Sequence, residues 1–329
     1  MTVDGRSNDA TDKAKPCGIH SLDAFALTVP SLNVAEDFFK TFGLDVRTQG
    51  AGLSLRTFGG DHTWGSISEG DSKRLSHLSF GCFRDDFDTL KRRLETESVA
   101  LLDPPSKVES DGIWFRDPDG LLIELKVARK SSPTKKTQQV VLPISAGRRG
   151  APYRRKAHTV RPSRLSHLLL FTANVACAID FYCSLLGLRL SDRTGDAIAF
   201  LHGIHGSDHH LIAFVKSNGP GLHHSSWNVP GVEDVGLGAM QMVDGGYDRG
   251  WGIGRHVLGS NHFYYARDPW GSYAEYSANM DFVPQGETWG AKDHLAEDGF
   301  YLWGPKPPED FGVNYETIVD AGASGATLG

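Results

Sequence analysis

Cysteine is scarce in this chain. Its four residues, Cys17, Cys82, Cys177 and Cys183, show neither a C-x-x-C pair nor paired metal-ligand spacing, and no apolar signal-type segment precedes them. A disulfide framework is therefore not expected, and a reducing, cytoplasmic setting fits. Long apolar runs are missing too: no window approaches the roughly 20 apolar residues that span a bilayer, so no membrane span is expected. Basic charge is not in surplus, because the formal net charge is −6. Nucleic acid is thereby disfavoured as a partner, since neutralising phosphates needs Lys and Arg gathered on one face.

What the chain does have is the composition of a soluble globular protein. Its 329 residues are 40% hydrophobic and 22% charged, enough to bury the cores of two ordinary domains. The first 16 residues are polar and aperiodic and read as a disordered leader.

The chain also repeats itself, which bears directly on the fold. RLSHLSF near residue 77 returns as RLSHLLLF near 167, and FRDPDGLLIEL near 117 returns as YARDPWGSYAEY near 268. Each copy places Arg-Asp-Pro-x-Gly ahead of an acidic residue, Glu124 or Glu275. The internal spacings nearly agree: His77 to Glu124 is 124 − 77 = 47 positions, and His224 to Glu275 is 275 − 224 = 51. Two similar domains follow, at 17–128 and 163–280. Between them, 129–162 is a basic linker containing a short apolar strand, VVLPI, and 281–329 is a C-terminal tail.

Within each half an apolar strand (LDAFALTV; LSHLLLFTA) runs into a segment with apolar residues at three- and four-residue intervals (VAEDFFKTFGL; VACAIDFYCSLLGL), ending at a Gly suited to a helix C-cap. Short strands and a second such unit follow. The fold class is therefore α+β, built from four tandem βαβββ-like modules. Each Asp-Pro-x-Gly element reads as a tight turn, Pro presetting φ and Gly taking the left-handed position.

His167 and His224 stand at the same offset in two strand starts, LSH-LLL and LHH-SSW, so pseudo-symmetry should turn them toward each other. Glu275 lies in an aromatic run, YAEYS, where an unpaired carboxylate would be costly to bury. A metal removes that cost. Two imidazoles and a carboxylate leave positions open, as expected of Fe(II) oxygenases rather than a closed structural site. His223 is the alternative ligand, and strand offset favours His224.

These residues, with GRHVLGSNHFYYARDPWGSYAEY at 254–276, resemble the type I extradiol dioxygenases of the vicinal oxygen chelate superfamily over nearly all of residues 18 to 316. In that family a His lies nine residues before a Tyr, which lies ten before the ligand Glu. His256 and Tyr265 fit, with 265 − 256 = 9 and 275 − 265 = 10. The family's acid–base His lies 14 or 15 residues before the second ligand His; DHHLIAF supplies His210, with 224 − 210 = 14, and His209 is its neighbour. The resemblance implies Fe(II), or Mn(II), held by His167, His224 and Glu275, and ring cleavage of a catechol-type diol with O2. It further implies His210 as acid–base residue, Tyr265 hydrogen-bonded to a substrate oxygen, His256 in support, and association into a homo-oligomer.

The N-terminal half offers Asp23, His77 and Glu124 as counterparts of the ligands. It has Thr63, Pro105 and Trp114 where His210, His256 and Tyr265 stand, so it reads as a duplicate without chemistry. Family members acting on homoprotocatechuate carry an Arg five residues before the supporting His; here that position is Trp251, which favours a neutral, alkyl-substituted or trihydroxylated ring. Phe300, Tyr301, Trp303 and Phe311 resemble the family's tail that folds over the pocket. Two other readings compete: a glyoxalase-like isomerase using its metal without O2, and a metal-free ligand-binding protein of the bleomycin-resistance kind.

Overall fold

The computed structural model describes residues 16–106, 108–138 and 144–317. The leader expected at 1–16 and the VVLPI strand at 140–144 fall outside these residues but for Pro16 and Ile144. Two sheets organise the chain: one of seven strands from residues 21–127, and one of ten from residues 164–303. Among the described residues no helix is long and apolar enough to cross a membrane.

In the second half, strand Arg164–Thr172 leads to helix Val175–Ser184 and then to strands Arg189–Thr194, Ile198–His202 and Ile212–Lys216. Strand Gly221–Asn228 leads in the same way to helix Val232–Asp244 and strands Gly250–His256, His262–Arg267 and Tyr273–Ala278. The first half opens identically, with strand Ser21–Val29, helix Leu32–Thr41 and three strands ending at Thr63–Glu69. Its second module is a strand short. Before Ile113–Arg116 there is only a single bridge, Leu102 to Trp114, and the chain then meets Pro104 and Pro105. Neither proline can donate to a ladder, so pairing stops there, and of the four βαβββ-like modules this one is shortened.

Local chemistry sets the helix ends. Ser31 and Asn174 cap the first helix of each half, accepting from Val34 N at 3.4 Å and Cys177 N at 3.1 Å. Beyond each C-terminus a glycine takes positive φ, Gly43 at 96° and Gly187 at 72°, as the repeats foretold.

The Asp-Pro-x-Gly turns owe more to their aspartates than the sequence suggested. Asp117 Oδ1 accepts from Asp119 N at 3.0 Å and Leu121 N at 2.8 Å, and Asp268 Oδ1 accepts from Trp270 N and Ser272 N, each at 2.9 Å. Gly120 and Gly271 adopt φ of 86° and 101°. Each turn thereby fixes the start of the strand carrying Glu124 or Glu275.

One apolar core runs through both halves. Phe42 stacks on Tyr276 at 4.0 Å, and the Tyr276 hydroxyl donates to Phe42 O at 2.8 Å. Tyr182 donates to Asp117 Oδ2 at 3.0 Å. Burial of each such aromatic contributes about 1.5–3 kcal/mol, so the halves stabilise each other through side chains that neither could bury alone.

Candidate active site and metal centre

The order of the ten-stranded sheet places every candidate side chain. Strands Ile212–Lys216, Arg164–Thr172, Gly221–Asn228, Tyr273–Ala278, His262–Arg267 and Gly250–His256 are consecutive neighbours. They carry, in that order, His210 (two residues before its strand), His167, His224, Glu275, Tyr265 and His256. A cavity of about 420 Å³ is lined from both wings, by Ile198, Phe200 and Val215 on one side and by His256, Leu258 and Tyr265 on the other. The sheet therefore curls around it.

His167 and His224 are each the fourth residue of their strands, and their Nε2 atoms lie 3.2 Å apart. Glu275 Oε2 is 3.3 Å from His167 Nε2 and 3.6 Å from His224 Nε2. All three side chains are buried, Glu275 completely. Glu275 Oε1 accepts from Asn261 Nδ2 at 3.1 Å, whereas Oε2 finds no hydrogen-bond partner of acceptable geometry. An orphaned carboxylate oxygen beside two imidazole nitrogens is what a divalent cation would satisfy, so these residues fit a metal. Among the described residues this is the one group of His, Cys, Asp and Glu close enough together to hold one. Burial alone would push the Glu275 carboxyl up; the His167 imidazole 3.3 Å away outweighs it and holds the group below its ordinary range.

His223 is set apart from that group. Its Nε2 donates to Phe311 O at 2.8 Å and its Nδ1 faces His224 Nδ1 at 2.8 Å. Because a carbonyl only accepts, His223 carries its proton on Nε2; its bare Nδ1 then accepts from His224 Nδ1–H and leaves His224 Nε2 free to ligate. Burial, against that bond to Phe311, pulls the pKa of His223 down to about 4.

Tyr265 and His256 form the other wing. His256 Nδ1 donates to Phe300 O at 2.9 Å, so its Nε2 accepts the Tyr265 hydroxyl at 2.8 Å. Burial and then the charge of Glu275 raise the Tyr265 pKa well above its ordinary value, and burial lowers that of His256. Trp251 stacks on Tyr265 at 5.4 Å and donates from Nε1 to Pro305 O at 2.8 Å. His210 lies across the cavity with its ring 4.1 Å from that of His167, and burial followed by the neighbouring histidines lowers its pKa well below the usual value. His209 faces away from the cavity, toward Asp192 at 2.9 Å.

Phe300 and Phe311 of the tail line the cavity with Pro307 and Pro308. Tyr301 and Trp303 instead lie on an edge strand, Tyr301–Trp303, paired with Gly250–His256. Asn261 escaped the sequence reading although the repeat marks it: Asn261 precedes Glu275 by 275 − 261 = 14, and Ser110, which donates to Glu124, precedes it by 124 − 110 = 14.

The N-terminal half departs from expectation at one ligand. His77 sits opposite Ala26 as His224 sits opposite Leu169, and Ser79 is opposite both Ala24 and Glu124 as Ser226 is opposite both His167 and Glu275. Ala24, not Asp23, therefore occupies the place of His167. Asp23 falls in the register shift between Leu22 and Ala24 just as Ser166 falls in the one between Leu165 and His167, so the two strands bulge alike and Asp23 matches Ser166. Glu124 accepts from the hydroxyls of Ser79 and Ser110, and Lys126 Nζ stands 2.8 Å from Asp23 Oδ2. Trp114 lies opposite Glu124 as Tyr265 lies opposite Glu275.

The chain matches the Glyoxalase/Bleomycin resistance protein/Dioxygenase superfamily over residues 21–125 and 164–276. It belongs to that family. It is 49% identical over 300 residues to metapyrocatechase 2 of Cupriavidus necator, covering 91% of this chain and 93% of that one. It is also 30% identical over 157 residues to 3-methylcatechol 2,3-dioxygenase of Pseudomonas putida, covering 43% and 49%. Among solved structures, the Mn(II)-bound glyoxalase of Novosphingobium aromaticivorans shares the fold with TM-score 0.73 at 24% identity, covering 90% and 95%. The 2,3-dioxygenase LapB of Pseudomonas sp. KL28 does so with TM-score 0.69 at 20% identity, covering 85% and 99%. The resemblance to the extradiol branch holds, and the chain is an enzyme of that class.

Proposed function

We propose that the protein opens the ring of a neutral catechol-type diol beside its hydroxyl pair, incorporating O2, at Fe(II) or alternatively Mn(II) held by His167, His224 and Glu275. The observation that supports this most is the orphaned Glu275 Oε2 between two imidazole nitrogens at the base of an apolar cavity. The metal, when bound, supplies the coordination that gathers diol and O2 and eases their spin mismatch.

The protein's own side chains handle protons. The Tyr265 hydroxyl gives its hydrogen to His256, so its oxygen is left to accept from a substrate hydroxyl. Neutral His210, on the far side of His167 from Tyr265, is the acid–base residue. Among the described residues the cavity lining contains no Lys or Arg, and Trp251 stands behind Tyr265, so a substrate carboxylate would find no cation there. Leu169, Ile198 and Val215 suit an apolar ring substituent. By analogy with oligomeric enzymes generally, we read the protein as a cytoplasmic homo-oligomer, which light scattering on the purified protein tests.

The deciding experiment is anaerobic loading with Fe(II), then O2 uptake and yellow ring-opened product with a panel of catechols, for wild type and His224→Ala. Uptake coupled to colour, lost in the variant, supports extradiol cleavage at this centre. Tight metal binding with no O2 consumption across the panel replaces it with the glyoxalase-like reading.

A further inference from the structure

The His209–His210 pair repeats the device seen in His223–His224. In both, consecutive histidines face each other through Nδ1, at 3.1 Å and 2.8 Å, and the first anchors its Nε2 on an acceptor. For His223 the acceptor is a carbonyl; for His209 it is a carboxylate, Asp192 Oδ2 at 2.9 Å.

Asp192 lies on strand Arg189–Thr194, outside the cavity lining, and is held on every side. Oδ2 also accepts from Trp289 Nε1 at 3.1 Å, and Oδ1 accepts from Lys292 N at 3.1 Å and His294 Nε2 at 2.7 Å. Burial opposes its charge, but the bonds from His209, His294 and Trp289 outweigh burial and hold the carboxyl down to about 2. It is therefore an acceptor only, and His209 must present Nε2–H to it. The Nδ1 of a neutral His209 is then bare, and the 3.1 Å contact closes only if His210 supplies Nδ1–H. His209 is 0% exposed, so water cannot substitute for either partner.

We propose that Asp192 and His209 are positioning residues for His210: the carboxylate, acting through His209, fixes His210 as its Nδ1–H tautomer and turns a bare Nε2 toward the cavity. This rests on the reading of His210 as the acid–base residue. In the wrong tautomer His210 would present a hydrogen where the reaction needs a lone pair. A proton that Nε2 does take leaves a cation whose Nδ1–H points, across one imidazole, at a carboxylate.

The test is long-range 15N correlation spectroscopy on the full, metal-free protein with labelled histidine, followed by turnover with Fe(II). Wild type shows His210 with Nδ1–H; in Asp192→Asn an amide that can present either its oxygen or its NH2 no longer commits His209 to Nε2–H, and His210 shows Nε2–H beside Nδ1–H while the His223 and His224 signals stay in place. The same variant loses between about 10-fold and 10⁴-fold in kcat, with KM changed far less. Asp192→Glu, which keeps the charge, recovers part of it. Should Asp192→Asn fail to fold, His209→Gln cuts the link while leaving Asp192 its other three donors, and His210 then shows mixed tautomers. An Nε2–H tautomer at His210 in wild type, or a tautomer unmoved by either variant, overturns the proposal. A tautomer switch in a protein that consumes no O2 keeps the positioning role and removes the ring-cleaving one.

Discussion

Lys126 Nζ lies 3.6 Å from Glu124 Oε2, so in the N-terminal half an ammonium supplies the positive charge that Glu275, in the C-terminal half, lacks. Burial would strip the lysine of its proton, but Asp23 and then Glu124 outweigh burial and raise its pKa. With Ala24 in the place of a ligand and Lys126 beside the carboxylate, we expect that half to take up no divalent cation. Elemental analysis of the loaded protein should give one metal per chain, and removing the site with His224→Ala should bring it close to zero. A ratio of two would mean that Glu124 and His77 still bind.

His223 is expected to govern metal affinity without touching the metal. His223→Phe removes the acceptor for His224 Nδ1–H and frees His224 to turn or change tautomer. Affinity, measured by competition with a chelator, should fall about 10- to 100-fold, and the metal-free protein should lose about 1–3 kcal/mol of stability for each buried partner, Phe311 O and His224 Nδ1–H, left unpaired.

The tail is tethered by a buried ion pair. Lys73 Nζ is 2.5 Å from Glu316 Oε1, whose two oxygens also accept from Leu222 N and Leu75 N, each at 3.0 Å. Glu316→Ala leaves the Lys73 ammonium, only 4% exposed, without its counter-charge. Breaking a buried pair from one side costs about 3–5 kcal/mol, to be read in urea unfolding. Lys73→Met with Glu316→Leu should restore much of it.

Asp117 makes stability depend on pH. Burial, against the bonds from Leu121 and Tyr182, raises its folded pKa to about 6 from an ordinary value of 3.8. The folded state therefore binds the proton more tightly than the unfolded chain. The stability this lends is fully present below about pH 4 and is lost as pH rises through 6, a change of about 3 kcal/mol. Asp117→Asn should flatten that part of the profile of Tm against pH; an unchanged slope would show that Asp117 is ionised throughout.

Much of this was legible in the sequence because the repeat does what a second structure would do. His167, His224 and Glu275 could be located since strand offsets survive duplication, and the spacing from His256 to Tyr265 to Glu275 is fixed by one hairpin and its neighbouring strand. Asp23 was misplaced by one residue: both strands bulge at the same offset, so Asp23 matches Ser166 and it is Ala24, fourth in its strand as His167 is in its own, that takes the ligand position. The setting of Asp192 was invisible for a different reason: its partners Trp289, Lys292 and His294 lie about a hundred positions away, which no local spacing encodes, and His209 was visible only as the neighbour of His210. The missing strand near Leu102 was announced by Pro104 and Pro105, of which Pro105 alone entered the sequence argument, as the residue standing where His256 does.

Three of the tail's contacts with the site are made by backbone carbonyls: Phe300 O to His256, Pro305 O to Trp251 and Phe311 O to His223. A carbonyl comes with every amino acid, so these props endure whatever residues occupy the tail, provided its path is kept. The side chains at Phe300, Pro307 and Phe311, which face the cavity, are then free to drift. The tail thus separates two inheritances on one segment, a main chain that conserves the state of the histidines and side chains that can be exchanged to admit a different ring.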